Sequence, residues 1–258
     1  MPEGRMGDVE DERRSPSSTS PIRRAARATF PLQGKANEGT LRRALIDTCL
    51  AMNASGINQG TSGNASARLD ERRFLITPSG RAYDAMKPVD LPVMTLDGRW
   101  SGAFRPSTEW RFHRDIFSRR PDVNAIVHAH SSFATALACL RLDVPSFHYM
   151  VAVAGGDSIR CAPYATFGTQ ALSDHALAAL EGRKACLLAN HGLIATGATP
   201  QKALALAIEV ETLCGMYLRA RAIAEPTRLS AEEMARVIEL FRTYGTPDFP
   251  DEELRKLS

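Results

Sequence analysis

The sequence predicts a mixed α/β fold in which a sheet is flanked by helices. Short apolar runs typical of strands are interleaved with segments of helical periodicity, without a strict alternation of strand and helix. This order disfavours a doubly wound parallel sheet. The 258 residues, of which 44% are hydrophobic, suffice for one large domain with a full core.

The first 38 residues differ in composition from the rest of the chain. The stretch RRSPSSTSPIRRAARATF is rich in Arg, Pro and Ser but lacks the apolar segment of a secretory signal. Acidic residues before it argue against a transit peptide. We therefore predict a disordered tail over residues 1–38 and a folded domain over residues 39–258. A phosphate-seeking arm is the alternative for the tail.

The folded domain is predicted to begin with a helix in TLRRALIDTCLAMNASG, with Thr40 as its N-cap and Gly56 as its stop. The next segment, GINQGTSGNASARLD, is predicted to be a polar, glycine-rich loop. The segment RFLITPSG indicates a strand that ends in a turn. In VMTLDGRW, Asp97 and Gly98 predict the bend of a hairpin.

The second half is predicted to contain a helix opened by Pro106 and Ser107, and three further strands in VNAIVHAH, FHYMVAVAGG and ACLLANHGLIAT. Two helices close the chain. One begins at Thr199, which is followed by a proline in the first turn. The other begins at Ser230, where Glu233 completes a capping-box pattern.

Composition disfavours several kinds of partner. No apolar run approaches the roughly 18 residues of a membrane span, and the net charge of +3 gives no reason to expect nucleic acid or a membrane surface. The five cysteines are odd in number, widely spaced and without a C-x-x-C pair. They indicate reduced thiols in the cytoplasm, each predicted to be a small buried residue.

Two histidines end the predicted strand VNAIVHAH. Because side chains alternate faces along a strand, His128 and His130 point the same way and could bind one transition metal. His191 lies where an apolar run meets a polar Asn-His-Gly break, and Glu109 begins a predicted helix. A His₃Glu set would place a Lewis acid beside a potential base. Each residue also has a simpler explanation. His128 and His130 could be surface or hydrogen-bonded histidines, His191 could belong to a turn, and Glu109 could stabilise the helix dipole.

Three short segments offer the groups from which phosphate sites are built. TSGN, TPSG and PST each present backbone N–H groups and hydroxyls, and the third lies at a predicted helix N-terminus. Each segment alone is more typical of a simple turn.

Together these segments resemble the class II aldolase/adducin family, and within it the L-fuculose-1-phosphate aldolases most closely. The resemblance extends from about residue 40 to residue 245 through NQGTSGNASARL, LITPSG, PSTEWRFHRDIFSRRPDVNAIVHAHS, FHYMVAVAGGDSIRCAPYATFGT, LLANHGLIATGATPQKALALAIEVE and FRTYG. It implies a three-layer α/β/α fold around a mainly antiparallel sheet. It also implies a homotetramer with active sites between subunits.

The resemblance further implies roles for individual residues. The implied zinc ligands are Glu109, His128, His130 and His191. The implied phosphate-binding residues are Gly63, Asn64, Thr77, Ser79, Gly80, Ser107 and Thr108. Glu109 and Tyr149 are the implied catalytic residues, with Tyr149 lent by a neighbouring subunit. Phe167 and Tyr244 would line the aldehyde end, Tyr244 from a mobile C-terminal segment.

Two features depart from the family pattern. Thr108 stands where close relatives more often have serine, and the segment after FRTYG is interrupted by prolines, which could place Tyr244 differently.

The implied function is a zinc-dependent aldolase that reversibly cleaves a ketose 1-phosphate. L-Fuculose 1-phosphate, or a related deoxy-pentulose or deoxy-hexulose 1-phosphate, would yield dihydroxyacetone phosphate and an aldehyde such as L-lactaldehyde. The alternatives within the family are a sugar-phosphate 4-epimerase, a dehydratase and a decarboxylase, and another divalent metal could replace zinc. A metal-free adducin-like interaction module is disfavoured because all four candidate ligands are retained.

Overall fold

A computed structural model of the chain describes residues 37–243. Its six α-helices are α1 (Glu38–Ala54), α2 (Trp110–Arg119), α3 (Ser132–Cys139), α4 (Gln170–Ala179), α5 (Pro200–Arg221) and α6 (Ala231–Thr243). Its eight strands are β1 (Asn64–Arg68), β2 (Arg73–Ile76), β3 (Val93–Thr95), β4 (Trp100–Ser101), β5 (Ala125–Ala129), β6 (Cys161–Ala162), β7 (Ala185–Leu188) and β8 (Gly192–Gly197).

The eight strands form one sheet in the order β4-β3-β2-β1-β5-β8-β7-β6. Every neighbouring pair is antiparallel except β6 and β7, which are parallel. The predicted mainly antiparallel sheet is thereby confirmed. Strands β1, β5 and β8 lie side by side at its centre, and Asn64 of β1 is paired with His128 of β5.

Helices cover both faces of this sheet, as expected for three layers. Helices α1, α3 and α5 pack on one face, against inward residues such as Ala65, Val127 and Leu193. Helices α2 and α4 pack on the other, against Ile126 and Ile194. The alternation of Ile126, Val127 and His128 between these faces follows from the two-residue period of a strand.

Two predicted helix starts are confirmed and one is wrong. The Thr199 hydroxyl accepts a hydrogen bond from the Lys202 N–H at the start of α5. The Ser230 hydroxyl likewise accepts one from the backbone of α6. Helix α1 is capped by Asn37 rather than Thr40, because the Asn37 Oδ1 accepts from the Gly39 N–H three residues earlier than predicted.

Two predicted strands and one predicted loop need correction. The segment FHYMVAVAGG is a 3₁₀ helix over Tyr149–Ala154, ended by Gly155 at a φ of 93°. The segment ACLLANHGLIAT is two strands joined by a tight turn, in which Asn190 adopts a left-handed φ of 55°. The predicted loop GINQGTSGNASARLD contains strand β1, of which only Arg68 is partly exposed.

Helices α3 and α4 and the short strand β6 were not predicted. All five cysteines lie in the described part of the chain and are free thiols. The predicted burial is confirmed for Cys49, Cys186 and Cys214 and wrong for Cys139, which is exposed, and Cys161, which is only partly buried. Within residues 37–243, no helix is long and apolar enough to cross a membrane. Almost all of the predicted tail, and Tyr244, lie outside the described residues.

Candidate active site

Four predicted ligands converge at one end of the central strands. One donor atom from each of Glu109, His128, His130 and His191 lies within 4.8 Å of the other three. His128 Nε2 is 3.0 Å from His130 Nε2 and 3.1 Å from Glu109 Oε2, and His191 Nε2 is 3.2 Å from Glu109 Oε1.

Neighbouring elements of the sheet bring these side chains together. His128 lies in β5 and His130 immediately follows it, so both project toward the face covered by α2. His191 belongs to the turn between β7 and β8, and β8 pairs with β5. Glu109 is the N-cap of α2, but its carboxylate makes no capping bond and points at the histidines instead.

The orientation of His128 and the lowered pKa of His130 suit metal binding. The His128 Nδ1 lies 2.8 Å from the Leu193 carbonyl, which can only accept, so Nδ1 carries the proton and Nε2 faces the cluster. Burial, together with repulsion from His128 and His191, lowers the pKa of His130 to about 4. His130 is therefore neutral near pH 7, the form that binds a metal ion.

The carboxylate of Glu109 is ionised. Burial opposes its charge, but attraction to the nearby imidazoles of His128 and His191 outweighs burial and holds the pKa of Glu109 below its ordinary range. Burial likewise opposes a charged His128, but attraction and hydrogen bonding to Glu109 raise its pKa overall. The charge of this carboxylate thus draws a cation to the centre of the cluster.

The residues fit a tetrahedral divalent ion. Ligands at 2.0–2.1 Å from a tetrahedral zinc lie about 3.3 Å apart. Three pairs of donor atoms here are 3.0–3.2 Å apart, and one donor atom from each of the four residues lies within 4.8 Å of the others. The buried Oε1 of Glu109 accepts no hydrogen bond of acceptable geometry among the described residues, even though His191 is near. An oxygen left in this state is typical of a metal ligand, since a buried polar atom without a partner is costly.

The outward face of β1 anchors α2 beside this cluster. Asn64, Ser66 and Arg68 alternate with alanines, so all three point toward α2. The Asn64 amide donates to Glu109 Oε2 at 2.9 Å, and Ser66 bonds His113. The Arg68 guanidinium donates to carbonyls at the end of α2, including that of Phe117 at 2.7 Å.

A second carboxylate holds the segment that follows His130. Glu211 of α5 accepts hydrogen bonds from the Ser131 hydroxyl at 2.6 Å and from the backbone N–H groups of Phe133 and Ala134, both at 2.8 Å. Glu211, a side chain of α5, thereby caps the N-terminus of α3.

The predicted phosphate loops approach the cluster through the backbone. The Ser107 N–H donates to the Thr77 carbonyl at 2.9 Å, and the Ser79 N–H donates to the Arg105 carbonyl. Ser107 and Thr77 are buried, whereas the remaining members at the loop tips are exposed: Ser79, Gly80 and Thr108. The loop from 77 to 80 therefore lies against the start of α2, which carries Glu109.

The side chain of Asn64, another predicted phosphate ligand, is occupied within the protein. Its amide bonds Glu109 and His113, and the residue is buried. A contact between this amide and phosphate would require it to leave Glu109. Gly63 precedes it, and the Tyr83 hydroxyl donates to the Gly63 carbonyl at 2.6 Å.

The predicted catalytic Tyr149 and the predicted aldehyde-end residue Phe167 are exposed in the single chain. Tyr149 begins the 3₁₀ helix, is 50% exposed and stacks on Phe241 at 6.4 Å between ring centroids. Phe167 is 65% exposed. It shares an open cavity of about 610 Å³ with Thr108 and with Gly98, Trp100, Arg105, Pro106, Trp110, Arg111 and Gly168.

Two site-supporting residues were missed from the sequence. His113 was given no role, and Ser66 was assigned to a loop. The i, i+2 spacing of Asn64 and Ser66 would have put them on one strand face, and His113 follows Glu109 by one helical turn.

The family model described as Class II Aldolase and Adducin N-terminal domain matches residues 43–218, more than half of the chain. The chain belongs to this family. Its predicted resemblance is confirmed, and the chain is an enzyme of the class II aldolase type.

This chain matches nearly the whole length of several known proteins. A 5-methylthioribulose-1-phosphate/5-deoxyribulose-1-phosphate aldolase of Rhodospirillum rubrum is 55% identical over 205 residues, which are 80% of this chain and 92% of that protein. An L-fuculose phosphate aldolase of Escherichia coli K12 is 49% identical over 80% of this chain and 95% of that protein. A solved structure of an L-fuculose 1-phosphate aldolase, 39% identical, superposes with a TM-score of 0.76 and covers 79% of this chain and 96% of that chain.

Proposed function

We propose that this class II aldolase binds one zinc ion per chain and reversibly cleaves a ketose 1-phosphate to dihydroxyacetone phosphate and an aldehyde. The observation that carries the proposal is the convergence of Glu109 with three imidazoles at one end of the central strands. The family membership supports the same reaction class.

Glu109, His128, His130 and His191 would hold the ion, with another divalent transition metal as the alternative. A bound divalent cation supplies Lewis-acid stabilisation of the negative charge that develops on the substrate oxygens when the bond between C3 and C4 breaks. The Nε2 atoms of the three histidines face the centre of the cluster. The Leu193 carbonyl accepts a hydrogen bond from His128 Nδ1 and so holds His128 in this orientation.

Glu109 and Tyr149 would move the protons. In the condensing direction, Glu109 takes the proton from C3 of dihydroxyacetone phosphate, and the resulting electron pair forms the bond to the aldehyde carbon. The aldehyde oxygen then becomes an alkoxide and receives the Tyr149 proton. The enzyme returns to its starting state when a proton passes from Glu109 to the Tyr149 oxygen through solvent.

The exposure of Tyr149 supports its donation to a neighbouring subunit. Half of this side chain is exposed in the single chain, and Phe167 is more exposed still. We propose a homotetramer in which Tyr149 of one chain completes the site of the next.

The cytoplasmic location and the aldehyde-end role of Tyr244 remain predictions.

The phosphate would bind where the loops around residues 63, 77–80 and 107–108 meet. Ser107 and Thr108 immediately precede the N-terminus of α2, where backbone N–H groups and the helix dipole favour an anion. Thr108 in place of serine keeps the hydroxyl and adds a methyl group.

Two classes of ketose 1-phosphate are candidate substrates. The similar proteins named above act on L-fuculose phosphate or on 5-methylthioribulose and 5-deoxyribulose 1-phosphates. Such aldehydes differ by few atoms, and a pocket separates a single methylene by only about 1–3 kcal/mol. We propose one of these deoxy- or thio-substituted ketose 1-phosphates as substrate.

A substrate panel tests this proposal. L-Fuculose, 5-deoxyribulose and 5-methylthioribulose 1-phosphates are offered to the zinc-loaded full chain, and release of dihydroxyacetone phosphate is coupled to an NADH-consuming reporter. The chelated protein is the control. We expect release from at least one substrate. Loss of substrate to a 4-epimer without any dihydroxyacetone phosphate would instead identify an epimerase.

A further inference from the structure

Four buried side chains form a continuous hydrogen-bonded chain that ends on Glu109. Ser66 Oγ is 2.6 Å from His113 Nδ1, and His113 Nε2 is 2.5 Å from Asn64 Oδ1. Asn64 Nδ2 is 2.9 Å from Glu109 Oε2. Ser66 and His113 are fully buried, and Asn64 and Glu109 are 3% and 6% exposed.

The donors along this chain can point in only one direction. An ionised Glu109 only accepts, so the Asn64 amide must present its N–H to Oε2 and its carbonyl Oδ1 to His113. His113 must then donate from Nε2, which leaves a lone pair on Nδ1 for the Ser66 hydroxyl. His113 is fully buried, and the hydrogen-bond partners of its two ring nitrogens, Ser66 and Asn64, carry no charge, so the neutral imidazole with a single N–H is favoured.

The reversed amide is disfavoured by electrostatics. It would place the Asn64 carbonyl oxygen against an ionised carboxylate, and two acceptors in a buried site repel one another. The reversal would also require the His113 proton to move from Nε2 to Nδ1, so the amide and the imidazole must change together. The Asn64 N–H therefore remains directed at Glu109 Oε2, whereas Oε1 accepts no hydrogen bond within the described residues.

We propose that His113 and Ser66 are positioning residues, which hold the Asn64 amide with its N–H toward Glu109 and so fix the orientation of the catalytic carboxylate. Neither residue touches substrate in this arrangement. The inference rests on the proposed function only in that Glu109 is the proton-transfer group. The hydrogen-bond polarity itself can be measured without any turnover.

The first test reads the polarity directly. The full chain is labelled with ¹⁵N-histidine, and the His113 signals are assigned by their loss in His113→Gln. We expect a neutral His113 with its proton on Nε2, with or without zinc. A proton on Nδ1, or an imidazolium at pH 7, would overturn the proposal.

The second test compares two substitutions of His113. Glutamine keeps an N–H near the position of Nε2, whereas leucine fills the space with no donor. At saturating zinc, we expect hydrogen exchange at C3 of dihydroxyacetone phosphate to fall about 10–100-fold in kcat for His113→Leu, as for other residues that orient ligands. KM should be nearly unchanged, and His113→Gln should recover most of the rate.

A matched pair of serines separates positioning from packing. Ser66 and Ser173 are both fully buried, and each makes a side-chain hydrogen bond of 2.6 Å, Ser173 to Asp115. Ser66→Ala should lower the exchange rate, and Ser173→Ala should not. Equal rates in all four variants at equal zinc content would contradict the proposal. If the wild-type chain catalyses no exchange, the proposed function fails, and the His113 tautomer still decides the polarity.

Discussion

Gly63→Ala is expected to destabilise the protein by about 1–3 kcal/mol, the usual cost of overpacking a well-packed site. A Cβ at this position would lie 2.6 Å from both Asn58 Oδ1 and the His128 carbonyl oxygen, and 2.9 Å from Met52 Cε. The methionine methyl can move aside. The His128 carbonyl cannot move freely, because it belongs to β5, which is paired with β1 on one side and β8 on the other.

Gly39→Ala is the matched control. Gly39 lies in the first turn of α1, and its nearest neighbour would be 3.5 Å from the added Cβ, an ordinary contact. Alanine favours a helix over glycine by up to about 1 kcal/mol, so this variant should be neutral or stabilised.

Thermal unfolding at one protein and zinc concentration compares the two variants. Each kcal/mol shifts Tm by about 2–4 °C for a domain of this size, so Gly63→Ala should melt about 2–12 °C below the parent. A Tm for Gly63→Ala equal to or above that of Gly39→Ala would refute the steric reasoning.

Three further predictions concern the metal, the tail and the cap of α3. Purified chain should hold about one zinc, and chelation should abolish activity until zinc is restored; full activity in verified metal-free protein would exclude the metal mechanism. Deletion of residues 1–35 should leave turnover and assembly nearly unchanged, and loss of either would assign the tail a structural role. Glu211→Gln should cost about 1–3 kcal/mol in unfolding free energy, because an amide cannot accept from all three donors of α3; an unchanged unfolding free energy would contradict this.

Local periodicity was enough to predict much of the fold. The alternation in VNAIVHAH placed His128 and His130 on one face, and the capping patterns located the starts of α5 and α6. The helix opened by Pro106 and Ser107 was also predicted, together with its acidic residue at the start.

Other features depend on the tertiary structure. Strand β1 was mistaken for a loop because its glycine-rich, polar segment is buried only when α2 packs across it. The segment FHYMVAVAGG is apolar enough for a strand, yet it forms a 3₁₀ helix capped by His148. From local patterns, Glu109 and His191 were only possible partners of His128 and His130, because they lie on separate elements that no local pattern connects; the resemblance then implied all four as ligands.

The proton-transfer role of Glu109 is tested most directly by deuterium exchange at C3 of dihydroxyacetone phosphate. Exchange requires no aldehyde, so it isolates the Glu109 step from the Tyr149 step. Glu109→Gln and Tyr149→Phe are compared with the parent chain, with the zinc content of each measured.

In Glu109→Gln, zinc should remain on the three histidines, while exchange and ketose cleavage fall together by at least the roughly 10²–10⁴-fold of a lost acid–base group. In Tyr149→Phe, exchange should survive while cleavage falls. Retained exchange in zinc-loaded Glu109→Gln would contradict the account and assign the base elsewhere. Lost exchange in Tyr149→Phe would show that this tyrosine acts at C3 rather than on the aldehyde oxygen.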